Sequence, residues 1–312
     1  MRALAMELGG SHATCAKIED REIVASHFLA VDSGTSLRPL LPFLAETLRA
    51  LRNERRSDEL TAVVLGFCGL VDYLRGRILS TNGKFDDGPS LDLVAWCREE
   101  LDLPLKMEND ARLALLGERY AGAAQGFDDI VMVTLGTGIG GAAMCQGRLL
   151  RGKHAQAGCL GGHIPVDFEG RVCTCGAVGC AEAEASSVSL PQVCESHPEF
   201  ASSSLATQVP ISYEKLFFQA AQGDRLAHEI VDRSLLVWSS MIVGLVHAYD
   251  PEIVVVGGGV MKSADRILPA LQAHVAQRAW TPWGKVRVVS AELGRNAALL
   301  GAIPLLEGVA DL

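Results

Sequence analysis

The sequence predicts an α/β protein, and three observations lead to that class. Apolar runs that end in glycine, typical of strands buried on both faces, alternate with segments whose apolar residues recur at helical spacing. A strand–glycine–strand hairpin predicted at 3–17 has a counterpart at 129–145, so one topology is repeated along the chain. With 312 residues, 49% of them hydrophobic, the chain is long enough for two domains of ordinary size or for a single large one.

The first half of the chain alternates strands and helices after its opening hairpin. The leucines of the segment 37–52 fall on one stripe, which predicts an amphipathic helix. "TAVVLGFCG" is a continuous apolar run ending in glycine, and it predicts a buried strand. The predicted elements are the hairpin at 3–17, a helix at 37–52, a strand at 61–69, a helix at 91–101, a strand at 103–109 and a helix at 110–124.

The second half begins another cycle with its own hairpin. A cysteine-rich insertion and a polar segment follow this hairpin, and "PEIVVVGGG" is again a strand that runs into glycines. After the hairpin at 129–145, the predicted elements are helices at 212–221 and 224–249, a strand at 251–259, a helix at 263–279, a strand at 285–291 and a closing helix at 296–308.

Charge and composition argue against several classes of partner. The formal net charge of −9 disfavours a nucleic-acid or anionic-membrane surface, since either requires a basic face. The longest apolar stretch, 234–249, is shorter than the roughly 18 residues that span a bilayer, and it predicts a buried helix. "MRALAMELGG" lacks the apolar run of a secretion signal, and nine cysteines without one indicate a reducing compartment. We therefore expect a cytoplasmic protein that binds neither nucleic acid nor membrane.

Three glycine clusters suggest sites where the backbone approaches an anion. "ELGGSH" (7–12) and "LGTGIGG" (135–141) are hairpin turns in which glycine lets N–H groups point at a ligand, with hydroxyls from Ser11 and Thr137. "GGG" at 257–259 follows a strand, where open α/β sheets bind ligands. Each cluster alone is explained as well by a tight turn. Together they favour a clamp for nucleotide phosphates, although the GxxxxGK[ST] motif is absent from the sequence.

The segment "CTCGAVGCAE" at 173–182 holds three cysteines and a glutamate within ten positions. With the upstream His163, the residues Cys173, Cys175 and Cys180 form the pattern H-x9-C-x-C-x4-C. One imidazole and three thiolates are a closed tetrahedral set that fits zinc and leaves no position for an activated water, which predicts a structural site. A redox pair at Cys173 and Cys175 and unligated core thiols remain as alternatives.

Asp110 lies where a predicted strand ends and a predicted helix begins. Open α/β sheets bind ligands at the carboxyl ends of their strands, and a helix N-terminus keeps a carboxylate ionised. Asp110 is therefore a candidate general base for a reacting hydroxyl. A plain N-cap role is the competing interpretation, and position alone favours it.

The motifs occur in an order that resembles the ROK family of sugar kinases and repressors. They read "ELGGSH", "END", "GTGIGG", "GGHIPV", "CTCGAVGCAE" and "DPEIVVVGGGV", and they cover nearly the whole chain. The resemblance implies an actin-like, ribonuclease-H-like ATPase fold, with two α/β domains around a cleft that binds nucleotide and sugar. We place a small N-terminal domain at 1–112 with the C-terminal helix at about 296–312, and a larger domain with the zinc-binding insertion at 113–295.

The resemblance also assigns site residues, with Asp110 as the catalytic base and His163, Cys173, Cys175 and Cys180 as zinc ligands. It assigns ATP and its Mg²⁺ to Glu7, Gly9, Gly10, Ser11, Thr137, Gly138, Gly258 and Gly259. It assigns the sugar to Gly69, Asn82, Asn109, His163 and Glu182. A simple turn at Asn82 and a surface carboxylate at Glu182 are the competing interpretations of those two positions.

Three positions depart from the family pattern. Glu7 stands where aspartate is usual, and Ser11 stands where threonine is usual. The extra methylene of Glu7 still allows its carboxylate to orient magnesium or a water, with altered reach. Leu160 stands three positions before His163, where many family kinases have a glutamate that contacts the sugar. This last departure leaves the identity of the sugar open.

These features predict an ATP- and Mg²⁺-dependent kinase that phosphorylates a glucose-like hexose at its 6-hydroxyl and carries structural Zn²⁺. The alternatives are an N-acetylmannosamine or N-acetylglucosamine kinase, or a catalytically weak sugar-binding protein of the same family. A sugar-responsive repressor would need a DNA-binding helix-turn-helix ahead of the first glycine loop, which here begins at residue 7. We expect a homodimer or a homotetramer.

Overall fold

The structure is a computed structural model that describes residues 1–32, 34–53, 60–81 and 83–308. Its contacts group the chain into two compact units, each of which contains both strands and helices, as the predicted α/β class requires. The first unit comprises Met1–Asp128, Ala142–Cys159 and Glu292–Leu312, and the second comprises Asp129–Gly141 and Leu160–Ala291.

The strands form two five-stranded sheets and one two-stranded ribbon. They are β1 (Arg2–Leu8), β2 (His12–Glu19), β3 (Glu22–Ala30), β4 (Val63–Phe67), β5 (Leu70–Asp72), β6 (Arg77–Ser80), β7 (Leu105–Asn109), β8 (Ile130–Leu135), β9 (Ile139–Cys145), β10 (Arg148–Leu149), β11 (Ile253–Gly257) and β12 (Arg287–Ser290). The sheets have the orders β3-β2-β1-β4-β7 and β10-β9-β8-β11-β12, and β5 pairs with β6. In both sheets the third, fourth and fifth strands are parallel. The two sheets therefore share one strand order, which confirms the predicted repeat.

The predicted helices occur in the predicted order. They are α1 (Leu41–Asn53), α2 (Leu93–Leu101), α3 (Asp110–Ala121), α4 (Ala181–Ala185), α5 (Leu190–Glu195), α6 (Tyr213–Ala221), α7 (Arg225–Tyr249), α8 (Ala264–Arg278), α9 (Ala297–Leu300) and α10 (Ala302–Leu306). The closing helix predicted at 296–308 is thus divided in two at Gly301. Two short helices, α4 and α5, lie in the insertion and polar segment where none was predicted. The sequence analysis missed the strands β3, β5, β6 and β10. Of these, β3 is an edge strand whose side chains are exposed or half-buried and form no continuous apolar run.

The core of the first unit lies between its sheet and the helices α1 and α2. Apolar side chains of the inner strands, among them Leu4, Leu65 and Met107, join leucines of α1 such as Leu44 in one buried cluster. Burying one such side chain stabilises the fold by about 1.5–3 kcal/mol. This packing fixes the inner strands, whose carboxyl ends carry the residues of the site.

Helix α3 packs very closely against the C-terminal helices of the first unit. A Cβ atom at Gly117 would overlap the carbonyl oxygen of Ala297, and one at Gly301 would overlap the carbonyl oxygen of Leu113. The contacts therefore place the whole of α3 in the first unit, and the boundary that we predicted at residue 112 falls inside this helix.

Helix α7 runs through the second unit. Its Trp238 is fully buried and donates its Nε1–H to the carbonyl oxygen of Ala185 at 2.9 Å. By length and composition alone, α7 is the one helix in the described part of the chain that could cross a membrane. However, 61% of its apolar window is buried inside the protein, and buried core helices pass the same test.

Candidate active site

The turn between β1 and β2 is the first predicted phosphate loop. The Gly9 N–H donates to the carbonyl oxygen of His12 at 2.9 Å, and the Val31 N–H donates to that of Ser11 at 3.0 Å. Among the described residues, the N–H groups of Gly10 and Ser11 have no acceptor. Two adjacent backbone donors in a turn suit the oxygens of a phosphate group.

Glu7 lies one residue before the end of β1, beside this turn. Its Oε2 atom is buried and accepts no hydrogen bond from the described residues, and His12 Nε2 lies 3.6 Å away from it. The imidazole of His12 stacks on Phe28 with ring centroids 5.6 Å apart. A buried carboxylate oxygen without a hydrogen bond suits a hard cation, so Glu7 fits the task of holding Mg²⁺ or a water of its hydration shell.

Three strands of the first unit end side by side. The register pairs Leu8 with Phe67 and Phe67 with Asn109, at the ends of β1, β4 and β7. Helix α3 begins directly after Asn109, and its first residue is Asp110. The ends of these parallel strands are where α/β sheets bind ligands.

The N-cap of α3 is Asn109 and not Asp110. The Oδ1 atom of Asn109 accepts the Arg112 N–H at 3.2 Å, which is the capping bond. Its Nδ2 group donates to the carbonyl oxygen of Gly69 at 3.2 Å and to Oδ1 of Asp110 at 3.1 Å. The capping role that the sequence left open for Asp110 is therefore filled by its neighbour.

Asp110 is the titratable group whose environment suits a general base. Its Oδ1 accepts the Ala111 N–H at 2.8 Å as well as the amide of Asn109, so both of its described hydrogen bonds are on one oxygen. Burial, followed by the negative charge of Glu7, raises the pKa of Asp110 from 3.8 to about 7. A base with a pKa near neutrality accepts a proton most effectively at physiological pH.

The two other predicted sugar contacts of the first unit differ in what the structure shows. Gly69 is held beside Asn109 by the hydrogen bond already described, and a Cβ atom there would crowd the carbonyl oxygen of Ser80. Asn82 lies outside the described residues.

The turn between β8 and β9 is the second predicted phosphate loop, at the equivalent point of the second sheet. In the described part of the chain, the N–H groups of Thr137 and Gly138 have no acceptor. The next N–H, of Ile139, donates to Oε2 of Glu182 at 2.8 Å. Glu182, which we predicted to contact the sugar, therefore also holds this loop.

The third glycine cluster follows β11 in the second unit. Gly258 has φ +96°, and a Cβ atom there would overlap the backbone of Leu135 at the end of β8. This position therefore requires glycine. At Gly259, by contrast, no described atom outside the neighbouring residues of the chain lies within 4 Å of the place a Cβ would take. The cluster thus lies against the strand that leads into the second phosphate loop.

His163, Cys173, Cys175 and Cys180 bring their ligand atoms within 4.8 Å of one another. Nδ1 of His163 lies 3.5 Å from Sγ of Cys173, and the Sγ atoms of Cys175 and Cys180 are 3.6 Å apart. Nitrogen and sulfur ligands of a tetrahedral zinc ion lie about 3.5–3.8 Å from one another. The four atoms therefore fit a single zinc ion whose coordination the protein completes.

Comparisons with known proteins show the family of the chain. A model of the ROK family matches residues 3–309. The chain belongs to the ROK family. A glucokinase of Thermotoga maritima is 30% identical over 98% of both chains, and an N-acetylmannosamine kinase of Salmonella newport is 31% identical over 99% of both. A ROK family glucokinase from Streptomyces griseus, solved in complex with glucose and AMPPNP, is 27% identical with a TM-score of 0.80, covering 98% of this chain and 99% of that one.

Among the departures from the ROK family pattern, Leu160 bears most directly on which sugar is bound. Its side chain is 37% exposed, and it directly precedes the 3₁₀ turn Gly161–His163. In that turn, a Cβ atom at Gly162 would overlap the carbonyl oxygen of Ile139. The segment before His163 is thus packed against β9, and it presents an uncharged side chain where many ROK kinases have a carboxylate.

Sequence reasoning about the ROK motifs missed two buried charged residues. Glu184 is buried and accepts the N–H of Arg171 at 2.5 Å and guanidinium hydrogens of Arg171 and Arg233. Lys84 is buried and bonds to the first phosphate loop. Its position two residues after Asn82, which we predicted to contact the sugar, was the available signal.

Proposed function

We propose that this ROK family chain is an ATP- and Mg²⁺-dependent kinase that transfers the γ-phosphoryl group to the 6-hydroxyl of a glucose-like hexose. Asp110 carries the proposal, because its raised pKa and its place at the end of β7 suit a base for a sugar hydroxyl. The glucokinases among the relatives favour a hexose as the acceptor. We further propose a cytoplasmic homodimer or homotetramer.

The chemistry needs one base and neutralisation of the phosphoryl charge. Asp110 accepts the proton of the 6-hydroxyl while the oxygen of that hydroxyl forms a bond to the γ-phosphorus. The bond from the γ-phosphorus to the β,γ-bridging oxygen breaks, which releases ADP. The N–H groups of Gly10, Ser11, Thr137 and Gly138 bind phosphate oxygens. Bound Mg²⁺ offsets the phosphate charge, and Glu7 would hold it. We assign the sugar to Asn109, Gly69, Asn82, His163 and Glu182, and Gly258 and Gly259 to the nucleotide.

An N-acetylhexosamine is the second candidate substrate. The uncharged and partly exposed Leu160 favours it, because an apolar side chain tolerates an acetamido methyl where a carboxylate would require hydrogen-bond donors. A relative at 31% identity is an N-acetylmannosamine kinase.

The test is a screen for ADP release with glucose, mannose, N-acetylmannosamine and N-acetylglucosamine. We expect turnover of at least one hexose, and a loss of about 10³-fold or more in kcat for Asp110→Asn. The matched control is Asp102→Asn, at an exposed residue with φ +51° where asparagine is equally well tolerated. Full activity of Asp110→Asn would refute the catalytic role, and sugar binding without turnover by the wild type would favour the silent protein.

A further inference from the structure

Lys84 is a buried cation that the proposed mechanism does not use. Its side chain is only 7% exposed, and its Nζ lies 5.2 Å from the centre of the Phe85 ring. Burial lowers the pKa of Lys84, because an ammonium group loses hydration in the interior. A buried charge costs several kcal/mol unless hydrogen bonds replace the lost water, so the partners of this group are informative.

Lys84 has two hydrogen-bond partners in the described part of the chain: one is in the first phosphate loop, and the other is a residue that bonds to this loop. Nζ donates to the carbonyl oxygen of Gly10 at 2.7 Å and to that of Val31 at 3.1 Å. Val31 in turn donates its N–H to the carbonyl oxygen of Ser11. The carbonyl groups of Gly10 and Ser11 are thus both occupied from the protein side, while their N–H groups have no acceptor in the described part of the chain.

The residue after Lys84 has a strained backbone. Phe85 is fully buried and has φ +57°, a conformation that bulky residues rarely adopt. Its N–H donates to the carbonyl oxygen of Thr35 at 3.0 Å, and its ring packs on Phe67 with centroids 6.0 Å apart. Strain of this kind costs about 1–3 kcal/mol and persists only where the surrounding packing enforces it. The packing of Phe85 therefore fixes the backbone next to Lys84, from which the Lys84 side chain reaches the loop.

We propose that Lys84 is a positioning residue of the first phosphate loop: it holds the Gly10 carbonyl on the protein side, so that the Ser11 N–H, which shares a peptide plane with that carbonyl, remains available to a nucleotide phosphate. A peptide plane that presents its N–H to an anion must turn its carbonyl away, and Lys84 bonds that carbonyl. The ammonium also places a positive charge beside the loop, which favours a phosphate there. This inference rests on the proposed function.

The experiment measures binding of AMPPNP and of the accepted sugar separately, by calorimetry, for Lys84→Met, Lys84→Gln and Lys84→Arg. We expect Lys84→Met to weaken AMPPNP binding about tenfold or more while the Kd of the sugar changes less than about twofold. Lys84→Arg restores part of the affinity, because it keeps a charged donor. Lys106→Met, at an exposed lysine of β7, is the matched control and should bind both ligands as the wild type does.

Hydrogen exchange of the peptide covering residues 8–14 gives a second measurement. It is made on Lys84→Met, or on Lys84→Gln if Lys84→Met does not fold. We expect faster exchange at this turn in the variant. Wild-type exchange together with wild-type AMPPNP affinity in a folded variant would overturn the positioning role. A proposed function that is itself wrong gives a different result, because the wild type would then bind no AMPPNP and phosphorylate no sugar.

Discussion

At the scale of single residues, the carboxylates of Asp110 and Glu7 lie in different environments, which suit Asp110 to accept a proton and Glu7 to hold a cation. Asp110 has a pKa of about 7 because burial and the charge of Glu7 disfavour its ionised form. Glu7 offers a buried oxygen that accepts no hydrogen bond from the described residues. The arrangement that suits Asp110 to be a base therefore also makes its ionised form unfavourable in the folded protein.

A pH-dependent stability effect of Asp110→Asn follows from this shift. The folded-state pKa of Asp110 is raised above its usual value of 3.8. The contribution of this carboxyl to wild-type stability is therefore fully present below pH 3.8 and is lost as the pH rises to about 7. The uncharged asparagine avoids this loss. We expect the ligand-free variant to gain stability over the wild type, by about 2–3 kcal/mol more at pH 8 than at pH 5. Denaturant unfolding at the two pH values measures the difference.

Asp102→Asn serves as the control, because this aspartate is exposed, and we expect no such difference between the two pH values. An Asp110→Asn gain that is equal at pH 5 and pH 8 would contradict the raised pKa. We also expect Asp110→Asn to lose kinase activity, so stability and activity should change in opposite directions at this residue.

At the scale of elements, the zinc cluster and the second phosphate loop are joined by helix α4. Cys180 is the residue before α4, and Glu182 lies in its first turn. After the helix, the Ser187 N–H donates to the carbonyl oxygen of Gly136, and the Val188 N–H donates to that of Thr137, both at 3.0 Å. Together with the bond from Ile139 to Glu182, three backbone groups of the loop are held by the segment that begins at a zinc ligand.

Loss of zinc should therefore weaken nucleotide binding as well as the fold of the insertion. We expect Cys175→Ala, which removes the exposed ligand, to bind less than one zinc per chain and to raise the Kd of AMPPNP about tenfold. Metal analysis and calorimetry on the same preparations measure both quantities. Cys145→Ala, at a cysteine outside the cluster, is the control. A zinc-free variant with wild-type AMPPNP affinity would show that the cluster does not support the loop.

Local patterns explain which parts of the site could be predicted from the sequence. The glycine loops, Asp110 and the Cys3His cluster are each encoded by residues close together in the chain, so spacing and residue type identified them as candidates, and the resemblance to the ROK family assigned their roles. Lys84 was missed because it reaches Gly10 across 74 positions, and no local pattern encodes such a contact. Glu184 was missed for a related reason, since its burial depends on Arg171 and on Arg233, which lies on α7.

At the scale of the whole molecule, the repeat of one sheet topology is the main organising feature. Each sheet has a turn after its central strand in which two adjacent N–H groups have no acceptor among the described residues, at Gly10 and Ser11 and at Thr137 and Gly138. The sequence indicated this repeat from its two hairpins. The grouping of the C-terminal helices with α3 depends on close packing between distant segments, and the fit of such surfaces has no local signature.

That close packing leads to a prediction about the first unit. Gly117→Ala and Gly301→Ala each place a methyl group onto a backbone carbonyl oxygen where α3 meets α9 and α10. Backbone cannot yield as a flexible side chain does, so we expect each variant to lose about 1–3 kcal/mol of stability. Gly244→Ala in α7 is the matched control, because its Cβ would meet Ile164 at an ordinary 3.9 Å. In a helix interior that change should stabilise the protein by about 0.5–1 kcal/mol. Thermal unfolding of the three variants tests the packing, and an unchanged or raised Tm for Gly117→Ala and Gly301→Ala would contradict it.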